Sequence, residues 1–158
     1  MSDVISPPSR AVALLSAAAV TAVLAGCGVL GGRQVDRTPV PAAWTAQIAA
    51  TAPTGHSGFA TVSIMTTGQT RANVTLSGGA AGGDHPWFIH EGDCSDPGSI
   101  MGDEGSYPRL RPNERGNASA TATLDVRLDP EEEYAIVVHG GPENLETVVG
   151  CGPLVRSG

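Results

Sequence analysis

Histidines and cysteines are the residues of this 158-residue chain with the most chemistry to offer, and there are four of the first and three of the second. Two histidines stand in one run, His85-Pro86-Trp87-Phe88-Ile89-His90-Glu91-Gly92-Asp93-Cys94, which ends in a cysteine. A third, His139, closes the β-branched run Tyr134-Ala135-Ile136-Val137-Val138-His139. The fourth, His56, sits among Pro53, Gly55, Ser57 and Gly58 and reads as an exposed loop residue. Imidazoles on rigid strands are a start for a copper or zinc site. Strand side chains alternate faces, so Trp87 and Ile89 are expected in the core, with Phe88 and His90 on the other side. His139 lies on the face opposite Ile136 and Val138, so His90 and His139 meet if their strands are neighbours. His85 is an odd number of residues from His90 and falls on the far face of an unbroken strand. A β-bulge would turn it round and complete a His85, His90, His139 ligand trio. The competing reading is that these are structural histidines held by hydrogen bonds.

The elements that must carry them are strands. Trp44 to Ala50 alternates loosely and reads as a strand rather than a short helix. Phe59 to Met65 and Arg71 to Leu76 alternate about the turn residues Thr67-Gly68-Gln69, which predicts a hairpin. Ser77 to Asp84 is a glycine-rich connection with no lysine after it, so it is not a phosphate loop. Pro86 to Glu91 is expected to be the central strand. Gly92 to Pro112 reads as a long irregular loop, rich in Gly, Pro and acidic residues. Ala118 to Leu128 is the cleanest alternation, with Ala118, Ala120, Ala122, Leu124, Val126 and Leu128 on one face. Asp129 to Glu133 reads as an exposed turn, and Val148 to Leu154 as the closing strand. Short strands between turn signals, without a helix, predict an all-β barrel or sandwich.

Residues 1–26 read as a lipoprotein signal peptide: Arg10, an apolar run from Ala11 to Ala25, and then Gly26-Cys27. Cys27 is the expected lipidation site and residues 27–43 a flexible tether, leaving 44–158 as one domain. The expected location is outside the cytoplasm, on the outer side of a bacterial cell membrane, with the membrane as partner through the lipid. The net charge is −7 and there is no lysine, so non-specific nucleic-acid binding is not expected. Nothing in the residues names a protein partner. With Cys27 assigned to the lipid, Cys94 and Cys151 remain, and an even pair in an exported chain reads as a disulfide.

These residues resemble the copper/zinc superoxide dismutase family. Phe88-Ile89-His90-Glu91-Gly92-Asp93-Cys94 is similar to that family's H-x-H-E strand and the cysteine-bearing loop after it. Val137-Val138-His139 is similar to its V-V-H strand end, and Cys151-Gly152 to its closing C-G turn. The likeness spans roughly Arg71 to Leu154. It implies a Greek-key β-barrel of about eight strands and a Cys94–Cys151 disulfide. It implies copper on His90 and His139, with His85 as a hydrogen-bonding neighbour of the copper site. The chain also departs from the pattern. Phe88 occupies the first H-x-H position, the loop from Asp93 to Pro112 has no histidine, and Val148 stands where the family has an anion-guiding arginine. Asp96, Asp103 and Glu104 are unmatched acidic candidates, so zinc is not expected. The resemblance therefore implies a retained scaffold with little or no dismutase activity; the alternative is an active, divergent copper enzyme that recruits His85 or a ligand from a second chain.

Overall fold

A computed structural model describes residues 41–157, Thr54 excepted. The expected signal peptide and the expected lipidation site, Cys27, lie outside the described residues, as does most of residues 27–43, the expected tether. The domain is all-β and antiparallel. Its strands are β1 (Ala43–Ala50), β2 (Ser57–Ile64), β3 (Thr70–Ser77), β4 (Trp87–Gly92) and β5 (Pro97–Ile100), then β6 (Ala118–Leu124), β7 (Tyr134–Gly141), β8 (Asn144–Pro153) and β9 (Val155–Ser157). A short 3₁₀ turn covers Glu104–Ser106.

The strands run in the order β5-β4-β7-β8-β1-β2-β3-β6, with β9 on the side of β1. One half is β1-β2-β3-β6 and the other β5-β4-β7-β8, and the seam is a short ladder, Ala49 to Cys151 and Ala50 to Gly150. The chain crosses between halves after β3, β5, β6 and β8, which is the Greek-key way of packing two curled sheets over one core. The seam closes because glycine flanks Cys151 on both sides. A Cβ at Gly152 would stand 2.6 Å from the Gln47 carbonyl oxygen, and one at Gly150 2.7 Å from that of His56.

The period-2 pattern explains the core. Trp44, Ala46 and Ile48 of β1 point inward, as do Ala60, Val62 and Ile64 of β2 and Ala72, Val74 and Leu76 of β3. Ala118, Ala120, Ala122 and Leu124 do the same on β6, while Ser119, Thr121 and Thr123 face water. From the other half come Trp87, Ile89, Ile136 and Val138, all fully buried. Each such large apolar side chain contributes about 1.5–3 kcal/mol of transfer free energy.

The expected hairpin is present: β2 and β3 pair in register from Ser57–Ser77 to Ile64–Thr70. Three expectations need correction. The strand bearing His90 is not central. It is second from one end of the sheet path and is buried on both faces because the loop after it folds back over it. That loop is not wholly irregular, since Pro97–Ile100 returns as β5 beside β4. Strand β6 ends at Leu124, although Leu128 still reaches the core.

Candidate functional site

Strands β4 and β7 are neighbours, with Trp87 opposite Val138 and Phe88 opposite Val137. Alternation then puts Phe88, His90, Val137 and His139 on one face. On the other side of β7 its register against β8 slips by a residue between Val138 and His139, while towards β4 the His139 amide donates to the Pro86 carbonyl. Over this face lies the returning loop. Tyr107 is its keystone: its ring packs edge-on against both Trp87 and Phe88, and its hydroxyl donates to the Met101 carbonyl. Burial raises the Tyr107 pKa, and the hydroxyl also accepts from the Ile89 amide, so it stays a neutral hydrogen-bonding group.

Three rings meet beneath this loop. The centroids of His90 and His139 are 5.9 Å apart, those of Phe88 and His139 5.4 Å, and those of Phe88 and His90 6.2 Å. His90 is 8% exposed and His139 6%. Each imidazole is oriented by a backbone carbonyl, one from β5 and one from the start of β8. His90 Nδ1–H donates to the Gly98 oxygen at 2.8 Å, and His139 Nδ1–H donates to the Leu145 oxygen. Both Nε2 atoms are buried and have no hydrogen-bond partner among the described residues. A buried nitrogen without a partner is costly. A ring whose Nδ1–H is held by a carbonyl, with Nε2 left bare, is the form in which histidine ligates a metal. A metal–nitrogen bond of about 2.0–2.1 Å puts a ring centre roughly 3.2 Å from the ion, so two ligands of one ion have centres about 5–6.4 Å apart. The His90–His139 spacing falls in that range. Burial, the largest influence, holds the His139 pKa below its ordinary value, against the raising effect of its Leu145 bond. The adjacent His90 lowers it further, and the Glu104 carboxylate pulls it up slightly.

His85 goes elsewhere. No bulge turns it towards His90. Its Nδ1–H donates to the backbone oxygen of His139 at 3.0 Å, and its Nε2 meets Nε2 of His56 at 3.2 Å. Since a carbonyl can only accept, the neutral His85 presents a lone pair at Nε2, and His56 must supply the proton of that bond. His56 is thus not an exposed loop residue: it is 4% exposed and packed edge-on against His85. Burial, and then the neighbouring His85, hold its pKa below the ordinary imidazole value. Both nitrogens of His85 are engaged, so its geometry is that of a support under His139.

The disulfide joins Cys94 to Cys151, with Cα atoms 5.9 Å apart. It ties the start of the β4–β5 loop to β8. Gly92, at φ +82°, makes the turn that starts this loop, and a side chain there would meet the Asp96 carbonyl oxygen at 2.9 Å. The loop then supplies the Gly98 carbonyl that holds His90. Asp93 spends its carboxylate on Ser95 and on the amide of Asp96, and Asp103 caps the 3₁₀ turn. Among the described residues no cluster of three or more His, Cys, Asp or Glu side chains is arranged to hold an ion.

A cavity of about 340 Å³ borders the Phe88 corner of the ring triangle, lined also by Pro86, Glu104, Tyr107, Arg109 and Leu145, while neither His90 nor His139 is among its lining residues. Among the described residues Arg109 is the one cation on its wall, and it is paired with Asp84 at 3.2 Å. A second groove, of about 580 Å³, lies on the outer face of β2, β3 and β6 but is lined by no titratable side chain. No family model matches this chain, and no curated protein matches it in sequence. No helix among the described residues is long and apolar enough to cross a membrane.

Proposed function

We propose that this chain is an exported, lipid-tethered domain of the superoxide dismutase type that holds a copper ion at His90 and His139 without turning superoxide over. The observation that carries the reading is the pair of bare, buried Nε2 atoms, each on a ring fixed through Nδ1 to a carbonyl. Copper is favoured over zinc because two imidazoles fall short of the closed four-ligand set that structural zinc takes. The disulfide suits an oxidising compartment, in keeping with an exported chain.

The residues fit a two-imidazole site and do not fit the four-histidine copper centre that the resemblance implies. Phe88 fills one ligand position, and residues 93–112 bring no histidine to the loop. Dismutation also needs anion guidance. Val148 offers none, Arg109 is tied to Asp84, a carboxylate it shares with Arg111, and Glu104 puts a negative charge at the cavity. With a net charge of −7, the long-range field repels superoxide. What these residues can do is bind and shield: His90 and His139 offer lone pairs, while Phe88 and Tyr107 keep the face dry.

Copper-loaded protein in a pulse-radiolysis or stopped-flow assay tests both halves. Stoichiometric copper that disappears in His90→Ala and His139→Ala, with no superoxide decay beyond that of metal-free protein, is the expected result. Copper-dependent turnover approaching the diffusional ceiling of about 10⁸–10⁹ M⁻¹s⁻¹ would instead establish an active dismutase.

A further inference from the structure

We infer that the ion this pocket selects is copper(I), and that Phe88 is part of the binding site rather than a plug in it. The inference rests on the copper-binding reading above and concerns the oxidation state held there. Three observations lead to it. The ligands are two imidazoles, which carry no charge as ligands, with no cluster of three or more ligating side chains among the described residues; the carboxylate at the pocket, Glu104, is exposed, so little negative charge compensates a buried cation. The desolvation cost of an ion rises with the square of its charge, which penalises copper(II) and zinc(II) four times as heavily as copper(I). Coordination number points the same way. A d¹⁰ monovalent ion is content with two nitrogen ligands, whereas copper(II) seeks a tetragonal set of about four and zinc(II) a tetrahedral one.

The third observation is the ring triangle. Phe88 is 6% exposed and leans on both histidines, at 5.4 and 6.2 Å between centroids with interplanar angles of 52° and 71°. An aromatic ring packed against both imidazoles is placed to meet an ion they hold with its electron-rich face or edge. A weakly hydrated monovalent cation gains from such a face without requiring a lone pair. The same ring excludes water, which copper(II) and zinc(II) would need to complete their shells. Trapping the ion in its reduced state is also consistent with an absence of dismutase turnover, because that reaction needs both oxidation states.

The test uses the exported chain with its disulfide intact, kept under anaerobic ascorbate, which reduces copper but leaves the disulfide alone. Competition against a copper(I)-specific chromophoric chelator gives one affinity. Titrations with copper(II) in air and with zinc(II) give the others. Copper(I) is expected to bind at one equivalent and at least about tenfold more tightly than either divalent ion. Phe88→Leu keeps an apolar side chain of similar bulk but removes the π face. It is expected to weaken copper(I) about tenfold while leaving copper(II) binding unchanged. Circular dichroism of the metal-free variant confirms that it folds. Copper(II) or zinc(II) binding as tightly as copper(I), or a Phe88→Leu affinity equal to the parent's, overturns the inference while leaving the histidine site standing. Failure of copper to bind in either state, or binding unaffected by His90→Ala, overturns the site itself.

Discussion

Breaking the Cys94–Cys151 disulfide should loosen the domain and the candidate site together. The bond spans 57 residues of chain. In the chain-entropy treatment, opening a loop of that length returns roughly 14 cal/mol/K to the unfolded state, or about 4 kcal/mol at 25 °C. For a domain of this size, that corresponds to a drop in Tm of roughly 15 °C. The perturbation is practical, because Cys94 is exposed to reductant although Cys151 is buried. The second consequence is local. Cys94 anchors the loop whose Gly98 carbonyl orients His90, so freeing it releases the hydrogen bond that aims Nε2. Loss of such an outer-shell partner costs about 10–100-fold in metal affinity. Calorimetry of the parent and of a Cys94→Ala/Cys151→Ala variant, with copper titrations on both, measures the two effects. An unchanged Tm would refute the constraint argument. A lowered Tm with unaltered copper affinity would refute the link from disulfide through loop to His90.

Phe88→His adds a third imidazole to the triangle. It should cost the metal-free protein about 1–3 kcal/mol, since a polar ring replaces a core aromatic, and raise copper affinity at least about tenfold. Thermal melts with and without copper check this, and a metal-independent Tm would count against the convergence of the three rings. Folding stability should rise as the pH climbs towards 6.5 and level off above it. His56 and His139 both have folded-state pKa values below that ordinary value, so in the window just beneath 6.5 the unfolded chain takes up protons that the fold refuses. Urea titrations across that window should show the slope, and a flat profile would contradict the buried, neutral state of these rings. Cys27→Ala should move the chain from the membrane fraction to the soluble fraction of the producing cell, because the lipid anchor is then missing. Retention in the membrane would remove the lipidation reading.

Much of the barrel was written in the period-2 pattern. The inward residues of β2, β3 and β6 alternate with hydroxyl-bearing and charged ones, and that signal is local. The strands that escaped notice lack it. Pro97-Gly98-Ser99-Ile100 has almost no β propensity, and it is held by its register against His90 and Gly92. Val155-Arg156-Ser157 is exposed throughout and exists because β1 offers it an edge. The histidines divide in the same way. Alternation placed His90 and His139 on the loop-facing side, and the pairing of β4 with β7 brings them together. The burial of His56 could not be read, because its partner His85 is 29 residues away and the contact exists only through the crossing of the sheets. The slip at Val138–His139 is likewise a tertiary effect, with no residue that announces it.

The central claim is that the Nε2 atoms of His90 and His139 together hold copper. Nitrogen-15 NMR of histidine-labelled protein, titrated anaerobically with copper(I), tests it most directly, because the ion is diamagnetic and every ring nitrogen reports separately. Large shifts at Nε2 of His90 and His139, saturating at one equivalent with both Nδ1–H signals retained and His56 and His85 little changed, are the predicted result. Shifts confined to the His56–His85 pair, or the absence of any shift at one equivalent, would contradict it.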